Sequence, residues 1–140
     1  MFKKTIKYED FNGNEITEDF YFNLTQAELI EMETKQSGGL QAKLERIVNT
    51  RDVSAIMDIF KEIITLSYGE KSDDGKHFHK SKEITDSFIS TNAYSELYVE
   101  LLSDVDKAIE FVTKVVPAKL IKDVNVEELK NNPKLPGKTN

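Results

Sequence analysis

The 140-residue chain contains no cysteine, which removes disulfides, thiolate metal sites and thiol nucleophiles together and fits a reducing compartment. Tryptophan is also absent, aromatic residues make up only 9%, and there are three prolines and two histidines. With 39% hydrophobic residues and so little proline, wholesale disorder is excluded. Basic residues are the minority: 19 Lys and Arg against 25 Asp and Glu give a formal net charge of -6. That is the wrong sign for a chain whose main task is neutralising phosphates, so nucleic acid is not expected as its principal ligand. No apolar run approaches the ~18 residues of a membrane span, and Met1 to Lys7 alternates charged with apolar groups, unlike a signal peptide. No membrane partner is expected, and a cytoplasmic location is. What remains is material for one ordinary domain with tails, since this length closes a single core and not two.

Two strands can be read first. Phe2, Ile6 and Tyr8 alternate with Lys3, Thr5 and Lys7, and Ile16, Phe20 and Phe22 alternate with Thr17, Asp19 and Tyr21. A two-residue Asn-Gly turn between them would pair Ile6 with Asp19 and set apolar against polar faces. A three-residue loop, Phe11-Asn12-Gly13 with glycine in the left-handed position, instead pairs Tyr8 with Ile16 and Phe2 with Phe22. Thr25 with Glu28 then forms a capping box, with Leu24 and Leu29 as its hydrophobic staple, so a first helix begins at Gln26.

Ser37, Gly38 and Gly39 end that helix, and Leu40, Leu44, Ile47 and Val48 line a second to about Asn49. A third, capped by Asp52, carries Ile56, Ile59, Phe60, Ile63, Ile64 and Leu66 on an arc too wide for one-sided burial. It is expected to be the central helix, stopped after Tyr68 by Gly69. Asp73-Asp74-Gly75 marks a loop or small hairpin within 70–82. Further helices follow over Lys82 to Ile89, after a cap at Thr91 with Tyr94, Leu97, Tyr98, Leu101 and Leu102, and from near Ser103 or Asp104 to Pro117. Val126 to Leu129 suits one helical turn within a loose tail. The expected fold is α+β: an N-terminal antiparallel hairpin (2–22) packed on a mainly helical body (26–116) of five or six helices. Residues 1–117 form one domain and 118–140 a flexible tail.

Several patterns invite chemistry. Asp10, Asn12 and Asn14 have the spacing of the first ligands of a calcium loop, but Glu15 stands where the loop's glycine belongs and Tyr21 where its bidentate glutamate belongs. His77 and His79, with Asp73 or Asp74, are two imidazoles short of partners, since a catalytic zinc needs three ligands and a structural one four. Glu96, Glu100 and Asp104 read as a solvated face opposite the Tyr94, Leu97, Leu101 stripe. No catalytic or nucleotide-binding signature occurs. No metal, cofactor or catalytic residue is therefore assigned. The candidate partner-binding residues are Tyr21, Tyr94 and Tyr98. Tyr21 faces away from its neighbours Phe20 and Phe22, either as part of a docking strip with the hairpin's edges or as an isolated surface aromatic.

The wording of the chain goes further. Ile16-Thr17-Glu18-Asp19-Phe20-Tyr21-Phe22-Asn23-Leu24-Thr25, Ala27-Glu28-Leu29, Gly38-Gly39-Leu40 and Asp58-Ile59-Phe60-Lys61-Glu62-Ile63-Ile64 follow one another in order. Ser67-Tyr68-Gly69, Lys71-Ser72-Asp73-Asp74-Gly75, Phe78, Lys80-Ser81, Ala93-Tyr94-Ser95-Glu96-Leu97 and Val115-Val116-Pro117 come after them. Over residues 2–117 this resembles the tail assembly chaperones of long-tailed bacteriophages, particularly those infecting Gram-positive bacteria. The resemblance implies a non-enzymatic protein of the infected host's cytoplasm. Such a protein coats the tape measure protein, keeps it soluble, helps tail tube protein polymerise around it, and is absent from the finished virion. It also implies self-association in multiple copies along the client and, in many relatives, a longer frameshifted product. Lys119 to Asn140 matches no wording of the family. Two other readings stand beside it: another morphogenesis part, such as a head-tail connector or minor tail subunit, and a small metal-dependent enzyme using His77 and His79.

Overall fold

The apolar alternation of the first two strands sets their register. In the computed structural model, which describes residues 1–35, 42, 45, 46 and 53–115, β1 (Phe2–Glu9) and β2 (Glu15–Phe22) pair Phe2 with Phe22 and Tyr8 with Ile16, as expected. The turn is the bulged one: Gly13 has φ 87, its N–H donates to the Asp10 carbonyl at 3.1 Å, and the Asp10 N–H donates to the Asn14 carbonyl at 2.8 Å.

Helix α1 (Gln26–Lys35) starts where the capping box places it. The Glu28 N–H donates to Thr25 Oγ1 at 3.2 Å, and Glu28 Oε1 accepts the Thr25 N–H at 2.9 Å. Both staple residues, Leu24 and Leu29, are buried. The glycine stop at 37–39, the second helical stripe from Leu40, the Asp52 cap, the Pro117 stop and the tail 118–140 lie outside the described residues.

Helix α2 (Val53–Ser67) carries the wide apolar arc, with Ile56, Ile59, Phe60, Ile63 and Ile64 all buried. One expectation is corrected here. The helix ends at Ser67, and Tyr68 and Gly69 open a strand, β3 (Tyr68–Lys71), instead of closing the helix. The cause is the sheet: Tyr68 pairs with Phe22, Gly69 pairs with Tyr21, and the Asn23 N–H donates to the Ser67 carbonyl. Buried Ser67 is satisfied by its own helix, its Oγ donating to the Ile63 carbonyl at 2.7 Å. Strand β4 (Phe78–His79) completes a small hairpin around the Asp73-Asp74-Gly75 turn, as expected. The sheet is antiparallel, in the order β1-β2-β3-β4.

Helices α3 (Lys82–Ile89), α4 (Asn92–Ser103) and α5 (Val105–Val115) follow, capped by Ser81, Thr91 and Asp104. The described residues thus form an α+β fold of four strands and five helices. The few aromatics concentrate where sheet meets helices. Phe22 lies within 6 Å of the rings of Tyr68, Phe88 and Phe111, and Tyr68 stacks on Phe88 at 4.1 Å. At the hairpin tip the cover ends: Ile16 is only half-buried, and Glu18, on the same face, accepts a hydrogen bond from the Tyr8 hydroxyl.

Candidate functional site

The three candidate tyrosines do not form one site. Tyr94 and Tyr98, one turn apart on α4, stack at 5.8 Å, and Tyr94 meets Phe88 edge-on at 5.7 Å. Both are half-buried against the core, and burial raises both hydroxyl pKa values. Tyr21 lies on the other face of the sheet from buried Phe20 and Phe22, with the Lys71 ammonium 5.8 Å from its ring centre. Among the described residues the outer edge of β2 is covered only at its end, where Tyr21 and Phe22 pair with β3, and the outer edge of β1 has no strand partner.

The polar candidates are engaged locally. Asp10 Oδ1 accepts the N–H groups of Asn12 and Asn14 at 2.9 and 2.8 Å, and the backbone bond from Asn14 leads in lowering its pKa. Asp74 does the same for the second turn, accepting from Ser72 Oγ at 2.7 Å and from the Lys76 N–H at 3.0 Å. The exposed rings of His77 and His79 stack at 5.7 Å. Among the described residues no group of three or more His, Asp or Glu side chains is placed to hold a metal ion, and no helix is long and apolar enough to cross a membrane.

The acidic face expected on α4 is corrected in part. Glu96 is exposed, but Glu100 is only 25% exposed and holds Lys4 at 3.0 Å and Lys107 at 2.5 Å, joining β1, α4 and α5. Asp104 caps α5 by accepting the Asp106 N–H at 3.0 Å. A second junction centres on Lys80, whose Nζ donates to the Asn23 carbonyl, Glu28 Oε2 and the Leu66 carbonyl at 2.6, 2.7 and 3.0 Å. In both clusters burial pushes the carboxyl pKa up. The lysines, with Thr25 at Glu28, outweigh it and leave Glu28 and Glu100 below their ordinary value.

Among the described residues, the large apolar side chains that reach solvent are other residues than the candidates: Met1 (60% exposed) before β1, Phe11 (79%) at the hairpin tip, Ile30 (55%) on α1 and Val99 (56%) on α4. Sequence had a signal for two of them. Ile30 follows the staple residue Leu29 and cannot share its face, and Val99 falls off the Tyr94, Leu97, Leu101 stripe. They stand on different elements of the described fold.

A sequence model of the family described as phage tail assembly chaperone matches residues 1–139, so the likeness does not stop at residue 117 as expected but runs on through Lys119 to Thr139. No curated protein and no solved structure matches the chain.

Proposed function

The chain belongs to the phage tail assembly chaperones, and we propose that it binds and solubilises the tape measure protein of a long-tailed phage of a Gram-positive host and promotes assembly of the tail tube around it. The extent of the family match, residues 1–139, carries this reading. The role is non-enzymatic. It is exercised in the cytoplasm of the infected cell, and the protein is left out of the finished particle.

The surface suits a holding chaperone. A net charge of -6 keeps the coated client soluble, and Phe11, Ile30 and Val99 offer scattered apolar contacts. A long client exposes more apolar surface than one such domain covers, so many copies must bind it. Individually weak contacts then suffice, because copies held on one strand raise one another's effective concentration, and weak contacts let the coat be stripped as tube subunits arrive.

Co-expression with the tape measure protein of the same phage tests this. The expected product is a soluble complex with several copies per client that survives high salt, since salt screens exposed ion pairs and spares apolar burial. Phe11→Ser together with Ile30→Ser should lower the copy number while changing the chaperone's own stability by no more than about 0.5 kcal/mol per site, the range of surface substitutions. An insoluble client, a single bound copy, or dissociation as salt rises would return the choice to a connector or minor tail subunit, which mass spectrometry of purified virions would detect.

A further inference from the structure

Strand β1 ends the sheet, and among the described residues no strand pairs with its outer edge. The phase of that edge follows from the turn. The Asp10 N–H faces β2, donating to Asn14, so in an antiparallel ladder the backbone groups of Tyr8, Ile6, Lys4 and Phe2 also face β2, and those of Lys3, Thr5, Lys7 and Glu9 face outward. The Glu9 carbonyl does point that way, accepting from Asn92 Nδ2 of α4 at 2.8 Å. A groove follows the edge between β1 and α4, with a hollow of about 330 Å3 where Lys4–Lys7 meet Glu96 and Glu100.

Charges choose what fits this edge. Lys4 is paired with Glu100, and Lys7 with Glu15 at 2.8 Å. Exposed Lys3 and Glu9 have no ionic partner among the described residues. They are opposite in sign and stand three residues either side of Ile6.

We propose that this edge pairs antiparallel with the same edge of a second copy of the chain, with Ile6 on the two-fold axis and Lys3 of each copy opposite Glu9 of the other. The outward-facing backbone groups are then in phase, Thr5 meeting Lys7 and Lys3 meeting Glu9, whose carbonyl accepts the Lys3 N–H on the lone pair that Asn92 leaves. Sliding the pairing to put Thr5 on the axis keeps the phase but sets Lys3 against Lys7, and like charges directly opposite are unfavourable. Three lysines on β1 also guard the edge against indiscriminate strand addition. A strand that offers a glutamate in register meets that guard, and the chain's own β1 is such a strand. The interface is isologous, each copy supplying what the other needs. The helix on the far side of the groove, α4, is tied along this edge through Asn92 to Glu9 and Glu100 to Lys4.

The purified full chain tests this without any client, so its failure is separate from that of the chaperone reading. Sedimentation velocity from micromolar to millimolar concentration should show a reversible dimer. Lys3→Glu and Glu9→Lys should each weaken it roughly ten-fold by turning two attractive pairs repulsive, and the two changes combined should restore it. Thr5→Pro should abolish it while leaving the circular dichroism spectrum of the monomer intact, because the lost N–H faces away from β2. If that variant does not fold, the charge exchange decides alone. A monomer at every concentration overturns the proposal and leaves the edge to a strand of another protein. A dimer indifferent to both single changes, or one the combined change fails to restore, overturns it equally.

Discussion

At the scale of single residues, Gly69 matters for the space it leaves. A Cβ there would lie 2.6 Å from Phe78 Cε2, 2.8 Å from Phe78 Cζ and 2.9 Å from the His79 carbonyl oxygen. The ring can turn aside, but the backbone carbonyl is held by the β3–β4 pairing of Glu70 with His79. Gly69→Ala should therefore cost ~1–3 kcal/mol, the range of overpacking, by denaturant unfolding. A loss within ~0.5 kcal/mol would mean that the small hairpin shifts freely. Lys80 is the other residue of this kind. Lys80→Met keeps the aliphatic stem but takes the Lys80 donor from the Asn23 and Leu66 carbonyls and from Glu28 Oε2. The expected loss is ~1–3 kcal/mol. Lys82→Met supplies the contrast, because its pair with Asp86 is solvent-exposed and its loss should leave the unfolding midpoint nearly unchanged. Equal losses in the two variants would refute the clamp.

At the scale of elements, α2 is the helix on which the core depends. Among its buried apolar side chains, Ile56, Ile63 and Ile64 have no exposed surface at all. Phe60→Ala or Ile63→Ala should each cost ~2–5 kcal/mol as cavity-forming changes, and a loss below ~0.5 kcal/mol would mean that α2 is not central. How far such elements can be read from sequence depends on how local their causes are. The hairpin register, the Gln26 helix start and the Lys82–Ile89 helix rest on alternation, a capping box and a Ser cap, all within a few residues of chain. The end of α2 does not. Tyr68 and Gly69 look like a helix stop until β2, more than forty residues earlier, claims them as a third strand. The same holds for function. Lys80 and Glu100 act through partners far away in sequence, with no periodic signal. Tyr94 and Tyr98, candidates for partner binding on the apolar stripe of their helix, are half-buried, and Phe88 of another helix packs on Tyr94.

At the scale of the whole molecule, two part-buried carboxylates link its parts: Glu28 joins α1 to Lys80 beyond β4, and Glu100 joins α4 to β1 and α5. Both hold their proton less tightly folded than at the ordinary value of 4.5. Unfolding therefore takes up protons in the acid range, and stability falls as pH falls. The contribution of each pair is complete above the unfolded value and is lost as pH drops through the lower, folded one. Glu28→Gln combined with Glu100→Gln should thus lower the denaturation midpoint at pH 7, and the gap from the parent chain should narrow at pH 3. Those two conditions lie on either side of the isoelectric point near 5.0, where low net charge would confuse unfolding with association. A gap of the same size at both pH values would show that the glutamines disturb packing, not the ion pairs. In that case the charge of the two carboxylates would add nothing to the links between sheet and helices, which would rest on apolar contacts and on neutral-acceptor bonds such as those of Lys80 and Asn92.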